Sequence, residues 1–145
     1  MLLGRSPTVE SMKRILTSVL GLVAGVLLVL TSACSTGTEA VQKVEAADAV
    51  RIIEAGDHTV IDVRTPPEYA AGHVEGAENI DVSAPTFTEQ VQKLDKDGAY
   101  VVYCQSGNRS ASAAEKMADL GFTEVVDAGG ITSLQSAGAA VVPGG

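Results

Sequence analysis

The chain has 145 residues, 46% of them hydrophobic and 19% charged, enough for one α/β core and too few for two of ordinary size. Its net charge of -8, with acidic residues scattered in ones and twos, argues against nucleic-acid binding and describes a solvated acidic surface. With no Trp, two Phe and three Tyr, a stacking platform for bases or sugars is disfavoured, and a small polar or anionic ligand fits better.

Residues 1 to 33 read as an address. Met12-Lys13-Arg14 is a charged start, Ile15 to Leu30 is an apolar stretch, and Thr31-Ser32-Ala33 supplies small residues before Cys34, the order an export signal needs. The apolar stretch falls short of the roughly 20 residues that span a bilayer as a helix, so a permanent transmembrane anchor is the second reading. Leu30-Thr31-Ser32-Ala33-Cys34 resembles the lipobox of bacterial lipoproteins, which implies acylation of Cys34 as the first residue of the mature chain, exported and lipid-anchored on the extracytoplasmic face of the cell membrane. Residues 1 to 11 add little to such a signal, which makes Met12 a candidate start. Removing residues 1 to 33 takes away Arg5, Lys13, Arg14 and Glu10, leaving 7 basic against 17 acidic residues. A surface of that charge is repelled by anionic lipid, so membrane attachment is expected through the lipid alone. Residues 34 to 40 are the lipidated terminus and a short Ser, Thr and Gly tether, and residues 41 to 145 the folded domain.

Val44 to Glu54 carries apolar residues at near-helical period, with Gly56 as a stop. Thr59 to Val63 is a β-branched run ended by Pro66-Pro67 and predicts a buried strand. Pro85 to Gly98 predicts a helix with loops. Tyr100 to Tyr103 and Glu124 to Val126 predict two further strands, with a helix over Ser110 to Leu120 between them. Strands alternating with helices predict a parallel sheet covered on both faces, with ligands at the carboxyl ends of the strands. Cys104 follows the Tyr100 to Tyr103 strand directly and so falls at such a place. The Gly- and Ala-rich tail from Ser136 is expected to be poorly ordered in its last few residues.

The run Cys104-Gln105-Ser106-Gly107-Asn108-Arg109-Ser110 places a thiol between a strand and a helix N-terminus, where backbone N–H groups lack intrahelical partners. Such donors, and the cation of Arg109, favour the reactive thiolate over the thiol. Gly107 and Asn108 tolerate the positive φ of an anion nest, and Ser106 and Ser110 add hydroxyls, Ser110 also as helix N-cap. An inert core thiol is the bland alternative, but it predicts apolar neighbours, and the six residues after Cys104 are polar or Gly. A Cys34 to Cys104 disulfide is a second one, weakened if Cys34 is the acylated terminus.

Val60 to Arg64, Glu68-Tyr69 and Gly72 to Ala77, taken with Val102 to Ser110, resemble the rhodanese family. Gly129-Gly130-Ile131 to Leu134 with Gly138 is a weaker third match, and the resemblance covers roughly residues 41 to 143, about one domain. It implies a three-layer α/β fold with a central parallel β-sheet flanked by helices, and a sulfurtransferase in which Cys104 is the nucleophile and carries sulfur as a persulfide. The amides of Gln105, Ser106, Gly107, Asn108 and Arg109 would then hold the terminal sulfur and an anionic donor such as thiosulfate, and a thiol or cyanide would be the acceptor. Asp62, Arg64 and Ser110 support the loop, with Asp62 expected to pair with Arg109, and Arg64 with Glu68. His73 is expected to pack rather than to catalyse. No metal or organic cofactor is implied.

Two departures from the family bear on substrate and packing. Gln105 and Ser106 stand where some members that favour thiosulfate carry basic residues, and Leu134 stands where an aromatic residue is common. Double displacement through the thiolate predicts ping-pong kinetics. A phosphatase or arsenate reductase is a rival, but in the related phosphatases the Arg lies one residue farther on than Arg109, giving a wider cradle. A persulfide carrier without turnover would look the same in sequence.

Overall fold

The computed structural model describes residues 39 to 144. The expected export signal, Cys34 and residues 35 to 38 of the tether lie outside the described residues. In chain order the elements are β1 (Val41–Lys43), α1 (Ala46–Ala55), β2 (Thr59–Asp62), α2 (Pro66–Ala71), β3 (His73–Val74), β4 (Glu78–Asn79), α3 (Phe87–Val91), β5 (Ala99–Cys104), α4 (Asn108–Asp119), β6 (Glu124–Gly130), α5 (Ile131–Ser136) and β7 (Val141–Val142).

Five strands form one parallel sheet in the order β1-β6-β5-β2-β4. β5 is central because nearly all of it is apolar: Tyr100 to Cys104 are buried, as a strand covered on both faces must be. Side chains alternate across the pleat. Tyr100, Val102 and Cys104 therefore pack with Ala113, Ala114 and Met117 of α4 and Phe87 and Val91 of α3. Val101 and Tyr103 pack on the other face with Ala49 and Val50 of α1 and Ile131 and Leu134 of α5. The result is three layers, helix, sheet, helix, with the Cys104 sulfur on the α4 side.

Most predicted elements appear with ends shifted by a few residues, and three differences matter. β6 runs to Gly130 instead of stopping near Val126. Its register against β5 shifts between Val102 and Cys104, because Val102 faces Asp127 while Cys104 faces Gly130, so β6 carries one extra residue. Gly129 absorbs it at φ 76, a conformation that favours glycine. Cys104 is the last residue of β5, not the first after it. The tail is tied down as well: β7 pairs antiparallel with β3, and Gly144 N–H donates to Ala70 O at 3.0 Å. Composition did not show this pairing, because it does not reveal that β3 offers an unpaired edge.

Candidate active site

The chain turns sharply after Cys104. Gly107 takes φ 98, and Asn108 is already the first residue of α4, so of the two residues expected to tolerate positive φ only the glycine uses it. The turn brings Gly107 N–H to 3.0 Å from Cys104 Sγ. Burial raises the thiol pKa, but donors outweigh it: the Ser110 and Gly107 amides, the Ser110 hydroxyl and the Ser106 amide together hold the thiol below its ordinary value. Of the amides from Gln105 to Arg109, that of Gly107 makes the hydrogen bond to the Cys104 sulfur.

Ser110 is not the helix cap, a position held by Gly107. Its hydroxyl donates to Gly107 O at 3.0 Å, with Gly129 O at 3.4 Å, and has a single proton that can turn to a thiolate instead. Cys104 is a free thiol with 0% exposure, and the two residues that follow it, Gln105 and Ser106, are exposed. Burial alone is what an inert core thiol would show. The convergent donors are what that reading does not predict.

The loop lies on a backbone floor. A Cβ on Gly130 would stand 2.7 Å from Gln105 O and 3.2 Å from Ser106 Cα, so only glycine fits there. Behind the loop a cleft of about 310 Å³ is lined by Lys43, Glu45, Ser106, Asn108 and Ser133 among others.

The two expected ion pairs are exchanged. Arg64 binds Asp62, not Glu68, with Nη2 at 2.6 Å from Oδ2 and Nε at 3.0 Å from both oxygens. Arg109 binds Glu68, not Asp62, with Nη1 and Nη2 donating at 2.8 and 2.7 Å. The cause is local. Glu68 sits in the first turn of α2, where its Oε2 accepts from Thr65 N–H and Oγ, the reaching-back half of a capping box. That places the carboxylate in front of α4, whereas Asp62 lies inside the sheet two residues from Arg64. Arg109 donation, with help from Thr65, holds the Glu68 carboxyl well below the usual carboxylate range.

Asp62 also accepts from Tyr103 Oη at 2.8 Å, and Tyr103 Oη accepts from Val74 N–H at 3.0 Å. Arg64 Nη2 donates to Gly72 O at 2.7 Å and Nη1 to Gln105 Oε1 at 3.1 Å. A buried network thus runs from β3 through β5 and β2 to the loop. Sequence reasoning missed Tyr103 because its alternating position reads as plain core. The role of Glu68 had a readable signal in Thr65-Pro66-Pro67-Glu68, the spacing of a capping box.

His73 packs as expected, its ring stacked on Tyr69 at 3.8 Å between centroids and Nδ1 3.2 Å from Tyr69 O. His58 precedes β2 and therefore lies at the opposite end of the sheet from Cys104, with Nε2 3.4 Å from Glu124. Among the described residues no cluster of His, Cys, Asp and Glu has the makings of a metal site.

The sequence profile of the family described as Rhodanese-like domain matches residues 45–137. The chain belongs to the rhodanese-like family. Its rhodanese-like domain is 36% identical over 74 residues to the thiosulfate sulfurtransferase PspE of Escherichia coli (strain K12), covering 51% of this chain and 71% of that protein. It is 40% identical over 67 residues to the thiosulfate sulfurtransferase GlpE of Pseudomonas fluorescens (strain SBW25), covering 46% and 59% respectively. Among solved structures, a rhodanese-related protein from Thermoplasma volcanium matches with TM-score 0.61 and 38% identity over 70% of this chain and 97% of its own. A rhodanese with anions from E. coli matches with TM-score 0.51 and 34% identity, over 60% and 99%. The rhodanese-like fold expected from the sequence is the one observed.

Proposed function

We propose that Cys104 is the nucleophile of a sulfurtransferase. Its thiolate attacks the outer sulfur of thiosulfate or a similar donor, the S–S bond of the donor breaks, and sulfite leaves with the electron pair. The resulting Cys104 persulfide passes its sulfur to a thiol or cyanide. The observation that carries this reading is the sulfur of Cys104 at the N-terminus of α4, 3.0 Å from Gly107 N–H and with a lowered pKa. Family membership supports it, as do the relatives named thiosulfate sulfurtransferases.

Intact mass of the protein after exposure to thiosulfate tests the proposal. The expected result is a gain of one sulfur, reversed by a thiol acceptor and absent in Cys104→Ser. Full sulfur transfer by Cys104→Ser would sink it. Repeated turnover distinguishes an enzyme from a carrier that loads once. We also propose export and acylation at Cys34, supported by the order of charged, apolar and small residues before it. Incorporation of labelled palmitate, lost in Cys34→Ser, is the expected outcome.

A further inference from the structure

Both arginines of the site are engaged by carboxylates. Arg109 gives two nitrogens to Glu68. Glu68 is in turn anchored by Thr65, so the carboxylate is held to α2 and does not swing free with the guanidinium. Asp81 is near enough to act on Arg109 too, as is Cys104 itself: Glu68 first, then these two, keep the guanidinium above its ordinary pKa.

Arg64 is buried against Asp62 and offers the loop one N–H, to Gln105 Oε1. Because arginine only donates, that contact fixes the Gln105 carbonyl inward and its NH2 outward, so the rim residue presents neutral donors. Lys43, in the cleft behind the loop, shares that cleft with Glu45. Arg64 is balanced by Asp62, and Arg109, the other arginine beside the loop, meets Glu68 at two points, with Asp81 and a Cys104 thiolate acting on it as well, in a chain of net charge -8.

We propose that Glu68 sets the donor class of this site: by engaging Arg109 at two points it withdraws that cation from the Cys104 loop, so singly charged or neutral sulfane donors are favoured over the thiosulfate dianion. The inference rests on the sulfur-transfer reading and deepens it. Glu68 touches no reacting atom and acts through Arg109.

Methanethiosulfonate and thiosulfate make the matched pair of probes, similar in size and differing by one charge. In both, the Cys104 thiolate forms a bond to the outer sulfur and the S–S bond of the donor breaks. Methanesulfinate leaves in one case and sulfite in the other, each with the electron pair, and no outside oxidant or reductant is needed.

The test measures kcat/KM for loading of the full chain by each donor at low and high salt, divided by the rate with free cysteine thiolate, in the native protein and Glu68→Gln. Gln retains a side-chain oxygen for Thr65, so the start of α2 is preserved. The native protein is expected to favour methanethiosulfonate on this scale. Glu68→Gln should raise thiosulfate efficiency by about tenfold, change methanethiosulfonate by less than about threefold, and lose most of the gain at high salt. The pH profile of Cys104 alkylation should also move to lower pH in the variant, since the freed cation favours the thiolate. An unchanged donor ratio, a gain indifferent to salt or an unmoved alkylation profile overturns the proposal. Failure of both donors to load native Cys104 overturns the sulfur-transfer reading itself, whereas loading with an unchanged ratio overturns only the role of Glu68.

Discussion

The two arginine–carboxylate pairs beside the Cys104 loop use one chemistry in opposite settings. In Asp62–Arg64 the side chains are 0% and 5% exposed, and in Glu68–Arg109 they are 31% and 32% exposed. A buried pair costs several kcal/mol of desolvation per ion, and losing one partner strands the other. A half-exposed pair is screened, so its removal changes local potential more than stability. The inner pair is therefore a joint of the scaffold, and the outer pair is an adjustable charge.

Asp62→Asn should break this contrast most severely. It leaves Arg64 charged in the interior, and a loss of about 3–5 kcal/mol is expected in urea unfolding. Tyr103→Phe removes the hydroxyl between Val74 N–H and Asp62, with an expected cost of about 1–3 kcal/mol by the same measurement. Gly130→Ala tests the floor: the 2.7 Å approach to Gln105 O forces the loop to shift at about 1–3 kcal/mol. The same shift spoils the aim of the amides, so Cys104 alkylation should require higher pH.

Glu68→Gln is the mildest, with a loss below about 1 kcal/mol. Its signature lies in pH. The folded pKa of Glu68 is depressed below its ordinary 4.5, so its contribution is present above that value and is lost as pH falls toward the folded pKa. The native protein should show this acid-side loss, and the variant should lack it.

The sequence made the sheet legible because β5, β2 and β6 are apolar, β-branched runs separated by helical patterns. It made the loop legible because a thiol followed by six polar or Gly residues is a poor core sequence. The ion-pair partners were not legible. Both assignments join the same four residues and satisfy charge, and only the three-dimensional offset between the start of α2 and the end of β2 decides between them. The Gly130 floor was hidden for a similar reason: it depends on one extra residue in β6, and a register shift leaves no periodic trace. Pairing of β7 with β3 joins segments far apart in the chain, which composition near the terminus cannot report.

The position of Cys104 as the final, even-numbered member of β5 has a consequence for how this chain can vary. Tyr100, Val102 and Cys104 look toward α4, while Val101 and Tyr103 look toward α1 and α5. Losing or gaining a single residue within the strand would invert that parity and turn the sulfur away from the donors of Gly107 and Ser110 with every motif residue still present. Length changes are tolerable in the loops before Ala99, where no such parity applies. Reactivity at this site is thus written as an odd-or-even count along one strand, as much as in the identity of the cysteine.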